Sequence, residues 1–197
     1  MELKFKKPES DIDLQELIDF CKKNGKVLEY RKGEQLEREG DPARWFAYVE
    51  SGCFKYMTRG IENEQNHITW FSFESEFVAD YPSVLSGKPS LVTIEAMTPS
   101  RVWKVSGEEL VGFFSENIKN MELRASIGEH ILSQFLSRYL DLHRYTPHER
   151  YNQLLCRCPG IVDNLPLNTI ASFLNITPQM LSRIRKEESL KVSNNPL

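Results

Sequence analysis

No stretch of this sequence approaches the ~20 consecutive apolar residues needed to cross a bilayer, and its opening, MELKFKKPESD, lacks the apolar segment of a secretory signal. A cytoplasmic protein with no membrane partner is expected. Cysteine is sparse: Cys21, Cys53, Cys156 and Cys158 are too scattered for a disulfide framework. The one close pair, Cys156-Arg157-Cys158, lacks the second pair or neighbouring histidine that a zinc or iron–sulfur site requires, so these read as structural cysteines and no metal is expected. Of the four histidines only His67 falls in a strand-like region, which leaves a metal-dependent β-barrel enzyme without its ligands. There is no phosphate-cradling glycine loop and no catalytic triad signature. Glu76 and Asp80 offer two carboxylates but no nucleophile or base beside them. The absences argue against an enzyme.

Excess positive charge is missing too. The formal net charge is −3, unlike that of a protein that coats nucleic acid indiscriminately. The average hides an asymmetry, because Arg138 to Leu197 carries eight basic against five acidic side chains, and the remainder is acidic. A mildly basic C-terminal end suits a surface that faces phosphate, and a solvated helical end explains it as well.

Within that basic end lies Leu165 to Lys186, LPLNTIASFLNITPQMLSRIRK, the stretch most informative about function. Ile170, Phe173 and Leu174 recur at helical spacing, as do Leu181 and Ile184, so two short helices each have a face to bury. Asn175 tolerates the left-handed backbone of a tight inter-helix turn; Thr177 can cap the second helix and Pro178 suits its first position. The exposed face then carries Gln179, Ser182, Arg183, Arg185 and Lys186. Gln and Arg make paired hydrogen bonds to purine edges, while Ser and Lys suit phosphates. The pattern is that of a DNA-reading helix-turn-helix, with an ordinary antiparallel helix pair as the alternative.

Upstream, residues 11–23 carry apolar residues at helical spacing and stop at Asn24-Gly25. From Lys26 to about Ser106 the period shortens. VLEYR, WFAYVESG, CFKYMTR, HITWFSF, LVTIEAM and RVWKV are β-branched and aromatic runs separated by turns such as Lys32-Gly33, Ser51-Gly52 and Ser86-Gly87, which predicts a barrel or sandwich. Ser106 and Glu109 make a capping box for a short helix through Phe114. A long helix from about Asn117 to His143 has one apolar seam of Gly128, Leu132, Phe135, Tyr139 and Leu142. A second contains Leu123, Ile127 and Ile131. One seam suffices to dock a helix on a barrel, so the second predicts another partner, unless the helix is fully buried in a single chain. Thr146-Pro147-His148-Glu149 breaks this helix and begins the next.

The run Arg38-Glu39-Gly40-Asp41, then Trp45 to Gly52, the strand Cys53 to Thr58, Phe77 to Ala96 and Arg101 to Val105 together resemble the cyclic-nucleotide-binding jelly roll of the CRP/FNR superfamily of bacterial transcription regulators. The resemblance covers about Leu28 to Lys186. It implies an α+β chain: a β jelly roll (double-stranded β-helix) as sensor domain over 1–116, a dimerisation helix over 117–144 and a helix-turn-helix domain over 145–197. The implied partners are double-stranded DNA and a second copy of the chain, with RNA polymerase a further candidate. Ile127, Ile131, Leu132, Phe135, Tyr139 and Leu142 are the candidate dimer contacts. Thr169 and Ser172 on the first helix of the pair, and Thr177, Ser182, Arg185 and Lys186 on the second, are candidates for phosphate, leaving Gln179 and Arg183 for base edges.

Three departures qualify the resemblance. Where nucleotide-binding relatives have a Gly-Glu pair for the ribose and an Arg followed by a small hydroxyl residue for the phosphate, this chain has Ala79-Asp80 and Ser90-Leu91. A buried anion without a charged partner is costly, so cyclic AMP is not expected to bind well and no cofactor is expected. Asp80, Tyr81, Val84, Leu85, Ser90, Leu91 and Ile94 remain the candidate effector pocket. CPGIVDNLP and EESLKVSNNPL are too short for the β-hairpin and β-wing that usually flank the helix-turn-helix. Pro178 stands where relatives often have an Arg, so operator preference cannot be carried over. A small-molecule sensor or protein-interaction module with a degenerate helix-turn-helix is the competing reading.

Overall fold

A computed structural model describes residues 12–60, 66–158 and 160–194, with side chains to residue 189. The chain divides into two compact units that part between Ile131 and Leu132, inside one helix.

The first unit opens with α1 (Gln15–Asn24). The Asp13 carboxylate accepts the Gln15 N–H at 3.0 Å, which places the helix start after the apolar residues Ile12 and Leu14. The strands are β1 (Lys26–Tyr30), β2 (Gln35–Glu37), β3 (Trp45–Ser51), β4 (Cys53–Arg59), β5 (Asn66–Phe73), β6 (Phe77–Val78), β7 (Thr93–Ala96) and β8 (Ser100–Ser106). They form two four-stranded antiparallel sheets, β1-β8-β3-β6 and β2-β7-β4-β5, the jelly roll that the resemblance implied.

Leu36, Ala47, Val49, Phe54, Tyr56, Val78, Ile94, Ala96 and Val102 draw on both sheets and fill the space between them. The alternate residues of β3 and β8, Phe46, Tyr48 and Val105, join a second cluster with Leu17 and Cys21 of α1 and Leu110, Phe113 and Phe114 of α3 (Gly107–Ser115). Burial on both faces explains why Phe46-Ala47-Tyr48-Val49 is continuously apolar rather than alternating. Burying such side chains contributes about 1.5–3 kcal/mol each. The β3–β4 turn needs glycine: at Gly52, φ is 90°, and a Cβ would lie 2.2 Å from Ser100 Oγ. Ser106 caps α3 as expected, accepting the Glu109 N–H at 3.1 Å while Glu109 Oε2 accepts the Ser106 N–H at 2.7 Å.

The long helix α4 (Ile118–Arg144) belongs to both units. Leu123 and Ile127 pack on the helix-covered cluster of the first unit. The second unit contains the end of α4, then α5 (Pro147–Arg157), α6 (Ile161–Asn164), α7 (Leu167–Phe173) and α8 (Pro178–Asn194). Its core is Tyr151, Leu154, Ile161, Leu165, Ile170, Ala171, Leu174, Leu181 and Ile184. Among the described residues no strand follows β8. A single helical turn, α6, occupies the segment before α7, and α8 runs on where a wing would otherwise begin.

Candidate effector seat and candidate DNA interface

The first candidate site lies at the start of α2 (Tyr81–Ser86). Asp80 precedes this helix, a position from which an aspartate ordinarily caps the first turn, yet it makes no such bond. Its carboxylate turns instead to the 90–91 segment. Oδ2 accepts the Leu91 N–H at 2.7 Å and the Ser90 hydroxyl at 3.2 Å, and Ser90 Oγ also donates to Val92 O at 2.9 Å. Both Asp80 and Ser90 are buried.

Beside Asp80 stands Glu37, on β2, only 7% exposed, and its Oε2 has no hydrogen-bond partner among the described residues. Burial and then the like charge of Asp80 push its carboxyl up to about 7, with Asp41 adding to the rise and Lys104 opposing it. Lys104, on β8, has its own ammonium lowered by burial. The Lys104 Nζ lies 4.5 Å from the centre of the Trp45 ring and donates to Tyr30 Oη at 3.4 Å. Its charge is partly engaged elsewhere.

The seven pocket residues expected from sequence do not line one chamber. Asp80, Ser90 and the Leu91 backbone meet as a hydrogen-bonded group. Tyr81, Val84 and Leu85 pack in the helix-covered cluster, Ile94 lies between the sheets, and the Leu91 side chain is 69% exposed. Glu37 escaped the sequence reading because it sits in GEQLEREG, a charged stretch that looks like a solvated turn. The register shift between Gln35 and Glu37, a bulge against β7, accompanies burial of both Leu36 and Glu37, which strict alternation would place on opposite faces.

The second candidate site is α7, the turn after it, and α8. Asn175 takes φ 53°, the left-handed conformation its place in the turn requires. Thr177 Oγ1 accepts the Met180 N–H at 3.2 Å and Pro178 opens α8. Leu181 and Ile184 are buried against the unit's core, which turns Gln179, Ser182, Arg183 and Lys186 to solvent. Arg185, Thr169 and Ser172 are half-buried, and Thr177 is exposed. Arg183 Nε donates to Glu187 Oε1 at 2.9 Å, a surface pair one turn apart. Such a pair stabilises a helix by about 0.2–0.5 kcal/mol, too little to keep Arg183 from a better partner.

Two arginines hold the turn. Arg138, near the end of α4, lies with its guanidinium 3.6 Å from the centre of the Phe173 ring and donates to Phe173 O at 2.6 Å. Burial brings it down to about 10, against the pull of Asp141. Arg150 on α5 donates to Leu174 O at 3.2 Å and to Tyr145 O at 2.8 Å. Cations on the last carbonyls of α7 satisfy acceptors that a helix end leaves open and complement its dipole. His148, also on α5, contacts Glu188 and lies 3.9 Å from Glu187. Sequence pattern had not marked Arg138, a cation on a helix otherwise read for its apolar seams. It had also passed over Met180, an apolar side chain 38% exposed among the polar residues at the start of α8.

Residues 27–117 match the family model described as the cyclic nucleotide-binding domain. Solved structures extend the likeness to most of the chain. FixK2 from Bradyrhizobium japonicum superposes with a TM-score of 0.72 at 19% identity, covering 85% of this chain and 85% of its own. CLP from Xanthomonas campestris, described as a c-di-GMP responsive global regulator, gives 0.71 at 16% identity, with 90% of this chain and 92% of its own covered. A protein from Eubacterium rectale assigned to the crp/fnr family gives 0.66 at 14% identity, covering 88% and 82%. Residues 27–117 thus match the cyclic nucleotide-binding domain, and the chain has the fold of CRP/FNR regulators.

The residues present do not fit a cyclic nucleotide. At the positions the resemblance would give to the phosphate, the Leu91 N–H is taken by Asp80 Oδ2 and the Ser90 hydroxyl is shared between Asp80 Oδ2 and Val92 O, no arginine stands at either position, and Glu37 adds a second buried carboxyl. A phosphate would have to displace one anion and settle beside another. Among the described residues, no group of three or more His, Cys, Asp or Glu could hold a metal, and no helix is long and apolar enough to cross a membrane.

Proposed function

We propose that this chain is a cytoplasmic, homodimeric, sequence-specific DNA-binding transcription regulator without enzymatic activity, in which the jelly roll serves as sensor and RNA polymerase is a further partner. The observation that carries the reading is the geometry of residues 167–186. A left-handed Asn175 and a Thr177 cap join two helices, and the buried Leu181 and Ile184 leave Gln179, Ser182, Arg183 and Lys186 as one exposed polar face. A helix presented this way enters the major groove with its N-terminal residues nearest the bases.

Gln179 and Arg183 read base edges in this arrangement. Ser182 and Lys186 from the exposed face, with Thr177, Arg185, Thr169 and Ser172, hold the backbone. The α4 stripe of Leu132, Phe135, Tyr139 and Leu142, with Ile131, forms the two-fold interface. Ile127 is half-buried against its own unit and contributes at the margin. Since no wing adds phosphate contacts among the described residues, affinity depends heavily on the dimer and on α8.

Arg183→Ala is expected to lower affinity for the preferred site by about 1–3 kcal/mol and to relax the preference at one base pair in each half-site. Selection of bound sequences from a random duplex pool, run in parallel on both proteins, checks this. An unchanged preferred sequence in the variant would refute the base-reading role of Arg183.

A further inference from the structure

Met180 is an apolar side chain, 38% exposed, at the start of a helix whose open face is otherwise polar. It stands outside the buried side of α8, where Leu181 and Ile184 are 0% and 2% exposed. Its neighbour on the helix surface, three residues on, is Arg183. Its backbone is fixed as well. The Met180 N–H donates to Thr177 Oγ1 at 3.2 Å, which places the residue in the capped first turn. In a helix that reads the major groove, the residues of this N-terminal end are the ones that meet base edges.

We infer that Met180 reads the C5 methyl group of one thymine in each half-site, by apolar contact. The inference rests on the proposed reading of DNA by α8 and adds to it a contact that Gln179 and Arg183 do not make. A thioether carries no charge and no hydrogen-bond donor, so it neither holds a phosphate nor pairs with a purine edge. The one apolar group that the base pairs display in the major groove is the thymine methyl. Gln179 before it and Arg183 one turn on suit purine edges, and Lys186 brings positive charge, so the surroundings of Met180 suit DNA while its own side chain suits a methyl. Met is unbranched and polarisable, and it adapts its shape to a small apolar partner. Removing one methyl from water against it contributes about three- to tenfold in affinity.

The test takes the duplex selected by the full chain and replaces its thymines one at a time by deoxyuridine, which lacks only the methyl. Affinity is measured by fluorescence anisotropy. In the parent, deoxyuridine at one position of each half-site is expected to weaken binding about three- to tenfold. Met180→Ala is expected to bind the unmodified duplex more weakly by a similar factor and to be indifferent to deoxyuridine at that position. Met180→Leu, still apolar and of similar volume, is expected to keep the discrimination. A merely structural role would lower affinity in the alanine variant and leave its deoxyuridine penalty intact, and thermal unfolding of the three proteins checks that each is folded. The inference is overturned if no thymine is sensitive in the parent, if the selected half-sites hold no thymine, or if Met180→Ala shows the full penalty of the parent. Selective binding that survives any of these results leaves α8 a reader without this contact, whereas failure to select any sequence removes reader and contact together.

Discussion

Replacing Leu132 and Phe135 together by glutamate is expected to convert the protein to a monomer and to weaken binding to its preferred duplex by at least ~100-fold, while each chain remains folded. Leu132 is 67% and Phe135 is 47% exposed in the single chain, and Leu136 and Tyr139 beside them are open as well. Because these side chains stand largely exposed on the single chain, charge there is expected to act chiefly on a partner contact. The stripe repeats at alternating spacings of three and four, the signature of a helix that seals against another helix. Burying a contiguous stripe of large apolar side chains on both copies drives association, and four glutamates across the two-fold axis would oppose it.

The effect on DNA follows from linkage of two readers. In the proposed dimer each α8 would reach one half-site, and dimerisation would make the second contact intramolecular, an advantage of order 10²–10⁴ in affinity. Sedimentation at micromolar concentration, paired with a binding titration, checks both halves of the expectation. A parent protein that is already monomeric, or a doubly substituted variant that binds as tightly as the parent, would remove the dimer from the mechanism.

The second large effect concerns stability and sits at Glu37. Glu37→Gln is expected to gain about 3 kcal/mol of unfolding free energy relative to the parent between pH 4.5 and pH 8. Its carboxyl has an ordinary value of 4.5 and stands at about 7 in the folded chain. Well below pH 4.5 the group is protonated in both states and contributes no pH dependence. As pH rises from 4.5 to 7 the unfolded chain gives up a proton that the folded chain keeps, so the parent loses stability. Above about 7 both states have released it and the loss levels off. Glutamine preserves the shape and cannot ionise, so its profile lacks this decline. Urea titrations at half-unit pH steps measure the difference, and parallel profiles for the two proteins would contradict it.

Cost and purpose meet at this residue. A buried carboxyl beside another carboxylate weakens the fold at neutral pH, and a natural sequence commonly carries such a defect where a ligand is meant to relieve it.

Legibility from sequence varied with the range of the interactions involved. The capping boxes at Ser106-Glu109 and Thr146-Glu149, the positive φ at Asn175 and the cap at Thr177 could all be read from neighbouring residues, and each is present. They depend on chemistry within a single turn. The longer strands were visible for a related reason, since β-branched and aromatic runs between turns need no partner to be recognised. By contrast β2 and β6 span three and two residues, too short to show a period, and exist because β7 and β3 pair with them. The spacing of the strands gave a barrel or sandwich, the resemblance narrowed it to a jelly roll, and the order of the sheets agrees with that.

The candidate effector seat was the least legible part. Asp80 and Ser90 could be placed by resemblance, but the bond between them could not, because it joins segments that only the fold brings together. Glu37 was hidden by a local bulge in a charged stretch. The same reason conceals the clamp of Arg138 and Arg150 on the last carbonyls of α7, where residues distant in sequence converge on two backbone oxygens.

The central claim is sequence-selective reading of DNA by a dimer through α8. Its most direct measurement is fluorescence anisotropy of the full chain on a duplex selected from a random pool, compared with a scrambled duplex and repeated from low to physiological salt. A two-fold symmetric selected site is expected, bound at least ~10³-fold more tightly than the scrambled duplex, with log affinity falling linearly against log salt. Failure to enrich any sequence, or equal affinity for the selected and scrambled duplexes, would contradict it.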